Sequence, residues 1–91
     1  MNLVILSGNL GKDPELITNG LKLSLATTDF NGEEKFTLWT DVLLYGKRAE
    51  NLLKFLVKGK SILVRGSLRS NIDLEGKDRK SVIFANDIEL L

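Results

Sequence analysis

Neither cysteine nor histidine occurs anywhere in this chain. The first absence excludes disulfides, a thiolate nucleophile and zinc sites of the usual sulfur type. The second removes the commonest agent of acid–base and metal chemistry near neutral pH. No apolar run approaches the roughly 20 residues that a membrane-spanning helix needs, and the N-terminus lacks a signal-peptide pattern. A cytoplasmic protein is expected. Charge of either sign is not in excess: 13 basic and 12 acidic residues leave a net charge of +1, so bulk electrostatics announces no nucleic-acid partner. Where the basic residues fall matters more than their sum. The 91 residues suffice for a single domain, 1–91, with one modest core.

Aromatics are few, and the only Trp and the only Tyr fall in one stretch, Trp39 to Glu50. Its first half alternates with the period of two that sends strand side chains to opposite faces. Leu38, Val42 and Leu44 share one face; Trp39, Asp41, Leu43 and Tyr45 share the other. The aliphatic face is the natural core face. The other carries two large rings beside a carboxylate, a combination expected on a surface that is at least partly wet and receives flat ligands. The bland alternative for Trp39 is a core tryptophan capping the fold, and for Tyr45 a ring covering the end of a barrel.

Elsewhere the chain reads as short strands punctuated by turns. Asn2 to Asn9 is a nearly continuous apolar run, expected to be covered on both faces, one by a partner subunit. Gly8 and Gly11 interrupt it, Asp13-Pro14 marks a turn, and Asn19-Gly20 is a tight connection. Leu21, Leu23 and Leu25 alternate with Lys22, Ser24 and Ala26. Asp29 to Lys35 is polar, contains Asn31-Gly32 and reads as a hairpin loop, with Phe30 its one aromatic. From Lys47 to Val57 the period changes, and Ala49, Leu52, Leu53 and Leu56 fit an amphipathic helix stopped by Gly59. Ile62, Val64 and Leu68 return to strand spacing, with Arg65, Ser67 and Arg69 on the opposite face and Gly66 breaking the strand. Ser70 to Lys80 reads as a charged loop and Val82 to Leu91 as the last strand. Phe36, Phe55 and Phe84 are assigned to packing. The fold class is therefore all-β: a five-stranded OB-fold barrel with one α-helix between strands 3 and 4.

The blocks Asn2 to Leu16, Leu23 to Thr27, Trp39 with Val42 to Glu50, Lys58 to Ser61, Gly66 to Ser70 and Gly76 to Arg79 resemble bacterial single-stranded DNA-binding proteins, in family order and across essentially the whole chain. The resemblance implies an OB fold, usually a homotetramer (a dimer being the alternative), that wraps single strands without sequence preference. Trp39 matches a base-stacking tryptophan of the family, and Tyr45 stands where a stacking phenylalanine is usual. Phe30 lies beside the position of a second tryptophan. A third has no aromatic counterpart near Ile72 or Asp73. Lys47 and Arg69 match basic positions of the binding surface. Where the family commonly has a histidine linked to subunit contacts, this chain has Thr40. The family's Gly- and Pro-rich linker and acidic C-terminal tip are absent from the sequence ending at Leu91, which reads either as a short variant or as a truncated chain, so tail-dependent replication and repair partners are not expected of these residues.

On this reading Trp39, Tyr45 and Phe30 stack bases, while Lys35, Lys47, Arg65, Arg69, Lys77 and Arg79 track the phosphates. The implied function is sequence-independent binding and protection of single-stranded DNA in replication, recombination and repair, without catalysis or cofactor, in the cytoplasm at the nucleoid. The competing reading is an OB-fold protein–protein adaptor of a replication-restart or recombination complex. A small nuclease of this fold ranks last, because Glu33-Glu34 has no evident third ligand and suits a solvated turn.

Overall fold

Leucines at every second position from Leu21 to Leu25 are buried to 2% exposure or less, while Lys22, Ser24 and Ala26 between them are half-buried. That alternation sets the inner wall of a barrel. The structure, a computed structural model, describes residues 1–73 and 79–91. Its elements are β1 (Val4–Leu10), β2 (Glu15–Ile17), β3 (Gly20–Asn31), β4 (Glu34–Tyr45), α1 (Lys47–Leu52), β5 (Ser61–Asp73) and β6 (Arg79–Leu90). The five long strands pair in the order β1-β5-β6-β4-β3, and β1 returns to β3 through Asn9↔Ala26 and Leu10↔Leu25. The circle is closed. All pairings are antiparallel except β4 with β6. The short β2 is an additional strand on the edge of β3, and α1 follows β4, the third of the long strands.

The interior holds Leu10, Leu21, Leu23, Leu25, Val42, Leu44, Ile62, Val64, Ile83 and Ile88 from the walls, with Ala49 and Leu56 from the helical segment. Burying an aliphatic side chain of this size contributes about 1.5–3 kcal/mol each. The helix is shorter than the Lys47–Val57 span predicted from periodicity. After Leu52 the Phe55 N–H donates to the Leu52 carbonyl at 2.9 Å, and the tighter turn drops Leu56 into the core while Leu53 stays exposed. Gly59, at φ 88°, completes the turn and its N–H donates to the Leu10 carbonyl. Asp13 accepts from the Lys58 N–H at 2.8 Å, so the connection after β1 is tied to the one before β5. No described helix is long and apolar enough to cross a membrane.

Several local expectations change, among them the core assignment of Leu38 and Leu68, which are 44% and 43% exposed. Asp29 to Lys35 is not a loop: β3 runs to Asn31 and β4 starts at Glu34, leaving Gly32 and Glu33 as a two-residue turn. Gly32 at φ 66° and a following residue without positive φ make this a hairpin turn of type II′. The ladder supplies strand structure that the composition of these residues does not call for. Likewise Ser70–Asp73 and Arg79–Lys80 belong to β5 and β6. Gly66 does not break the strand: β5 runs through it from Ser61 to Asp73, and opposite the step from Arg65 to Gly66, β6 bulges by one extra residue, Asn86. Finally, Leu43 is buried although it shares the outward parity of Trp39, because Lys22 on β3 and Phe84 on β6 flank it. By contrast, Ile5 on β1 and Leu3 just before it are exposed, and none of the described residues covers them.

Candidate nucleic-acid interface

Directly paired residues in an antiparallel ladder share a face, so the β3–β4 register assembles the outer surface. Phe30 is opposite Lys35, Thr28 opposite Thr37, Ala26 opposite Trp39, Ser24 opposite Asp41 and Gly20 opposite Tyr45. The three sequence-predicted rings therefore stand on one face. Trp39 and Phe30 are each 62% exposed and Tyr45 is 43% exposed. From Lys35, beside Phe30, to Tyr45 the strand spans about 33 Å at the usual rise per residue. Phe30, Trp39 and Tyr45 are thus distributed along the length of this face rather than clustered at one point.

Two glycines shape this surface. A Cβ on Gly11 would run into Trp39 Cζ3, so the indole lies directly against the backbone between β1 and β2. A Cβ on Gly20 would come within 2.7 Å of Tyr45 Cδ1. Small residues here let both rings lie down on the sheet.

Beyond Tyr45 the surface continues onto β6 and β5. Phe84 pairs with Leu43 and Ser67, and its ring centroid is 5.9 Å from that of Tyr45 at an interplanar angle of 51°. The Arg69 guanidinium lies over Phe84, 4.5 Å from the ring centroid. Tyr45, Lys47, Arg48, Arg69, Phe84 and Asn86 line an open groove of about 540 Å³ at this end of the barrel. Sequence reasoning missed Phe84, Arg48 and Asn86. The signal for Phe84 was its period with Val82, opposite to Ile83, but two adjacent aliphatics conceal which parity points inward.

The predicted cations divide. Lys35 lies beside Phe30, and Lys47 and Arg69 stand in the groove with its rings. Arg65 is held instead by Asp87 at 2.7 Å and Glu89 at 3.4 Å, so its charge is largely answered within the protein. Lys77 falls outside the described residues, and Arg79 is described only through its backbone pairing with Asp73. Asp41, half-buried between Trp39 and Leu43, joins no ion pair among the described residues. Nor do three or more carboxylates gather there in a metal-holding group. Flat apolar faces interleaved with cations suit stacked bases joined by phosphates.

Comparison with known proteins points the same way. The single-stranded DNA-binding protein 1 of Xylella fastidiosa is 39% identical over 106 aligned positions, which cover all of this chain and 77% of that protein. A Plasmodium falciparum SSB solved in complex with ssDNA superposes with a TM-score of 0.79 at 25% identity, covering 100% of this chain and 95% of the other. A small single-stranded DNA binding protein from Mycoplasma pneumoniae gives a TM-score of 0.81 at 25% identity, covering 98% and 92%. The profile of one family matches residues 1–91 from end to end. The chain belongs to the single-strand binding protein family.

Proposed function

We propose that this chain binds and protects single-stranded DNA without sequence preference, as a non-catalytic component of replication, recombination and repair. The observation that carries this is the outer face of β3 and β4, where Phe30, Trp39 and Tyr45 stand exposed on one surface beside Lys35 and Lys47. Every base has a π-face, so stacking on such rings contributes about 1–3 kcal/mol per base whatever the sequence. Cations that meet phosphates release counterions, a second term that weakens with salt and is also blind to sequence. Arg65 is left out of the contact set because Asp87 and Glu89 already answer its charge. Lys77 and Arg79 remain contacts expected from the sequence.

A homo-oligomer, tetramer or dimer, accompanies this reading. Among the described residues, β1 from Val4 to Gly8 pairs only with β5, which leaves its other edge open, and Leu3 and Ile5 are exposed. A second copy would satisfy both features. Sedimentation of the full chain measures this directly, and a monomer at all concentrations would refute it.

The binding reading is tested by titrating oligothymidylate into the protein at low salt. Trp39 fluorescence should be quenched, and less so as salt rises. No quenching with any single strand would overturn it. Labelled strands incubated with the protein and a divalent metal should remain intact.

A further inference from the structure

The Arg69 guanidinium sits over the Phe84 ring at 4.5 Å, and Phe84 is itself braced by Tyr45. Phe84 is half-buried while Arg69 is exposed, so one side of the guanidinium faces the ring and the other faces the groove. Its Nε–H also donates to Ser67 Oγ at 3.4 Å, a weak second tether. An arginine lying loose on a surface would look different. Here a planar cation is laid on an aromatic ring at the end of a face that already displays three others.

We propose that Arg69, held on Phe84, is a stacking platform for a nucleobase, the guanidinium lying between the Phe84 ring and a base of the bound strand. This rests on the DNA-binding reading and deepens it. A guanidinium is flat, weakly hydrated and attracted to π-faces, and bases stack on arginine planes as they do on aromatic rings. Phe84 is the positioning residue: by fixing the plane before the strand arrives, it lowers the side-chain entropy lost on binding. Lys47 and Arg48, lining the same groove, are then placed to meet the flanking phosphates. The groove thus divides its labour, with Arg69 taking a base and its neighbours the backbone.

The experiment compares oligothymidylate with a fully abasic strand of equal length, titrated against the full chain at one low salt concentration. Arg69→Lys keeps the charge and removes the plane. It should weaken oligothymidylate binding about fivefold or more, while abasic binding and the salt slope stay those of the wild type. Phe84→Leu should reproduce that pattern, and if it fails to fold, the exposed Arg69→Lys variant alone decides. Unchanged oligothymidylate affinity in Arg69→Lys overturns the proposal. So does an equal loss on both strands, which identifies Arg69 as a phosphate contact. Should the wild type bind neither strand, the DNA-binding reading falls and the platform with it.

Discussion

Trp39 rests against Gly11 so closely that a methyl group on the glycine would occupy the volume of the indole. The ring's pose is therefore set from the connection between β1 and β2, not only by its own strand. Gly11→Ala should tilt Trp39 off the sheet without unfolding the barrel, since the ring stands on the outside. Its emission spectrum should shift and oligothymidylate affinity should fall by about 1 kcal/mol, the lower end of one stacked base. Unchanged emission and affinity would show that the indole has room to spare.

Removing the ring outright separates its two possible jobs. Trp39→Ala should cost about 1–3 kcal/mol of binding, alike for all base compositions. Because the side chain is 62% exposed, its melting temperature should stay near that of the wild type. A variant that binds normally yet melts early would mean that the ring is packing.

Salt dependence distinguishes the cations. Lys47→Ala should make the slope of log affinity against log salt shallower by about 0.7, the value for one phosphate on a single strand. Arg65→Ala should leave that slope alone, and its exposed pairs with Asp87 and Glu89 contribute only about 0–1 kcal/mol to stability. Equal slope changes in the two variants would place Arg65 on the strand's path after all.

Gly66 is a test of the fold and not of the site. A Cβ there would run into the carbonyl oxygen of Phe84 across the bulge, where neither backbone can give way cheaply. Gly66→Ala should destabilise by about 1–3 kcal/mol, read as a lower denaturant midpoint at constant m-value. No change in midpoint would mean that the bulge relaxes freely.

Much of this architecture was legible in the residues, and the exceptions have physical causes. Parity along β4 placed Trp39 and Tyr45 outward because period two is a local property of the backbone. The same rule failed for Leu43, since parity says which side a residue faces but not what a neighbouring strand brings to that side. Lys22 and Phe84 cover it, and the β4–β6 pairing that delivers Phe84 joins positions 41 residues apart. Composition predicts a loop at Phe30 because Asp29, Asn31, Glu33 and Glu34 around it have little intrinsic strand preference. It became a strand residue through the ladder, which the register of the Gly32 turn extends to the tip. Periodicity extends the helix too far because Leu53 fits the apolar stripe, whereas Leu56 reaches the core by a tighter turn.

The way β1 closes the circle has a consequence for how the molecule forms. Its partners on β5 lie far along the chain, as in Ser7↔Leu63 and Val4↔Gly66, whereas β3 and β4 meet across a two-residue turn. The β3–β4 hairpin can assemble from neighbouring residues early, but the N-terminal strand must wait until the second half of the chain exists. On a ribosome, the hairpin carrying Phe30, Trp39 and Tyr45 emerges well before the barrel that will hold it. Closure is then the slow event, and stopped-flow circular dichroism should resolve it on the timescale of about milliseconds to seconds typical of folds built from such distant pairings.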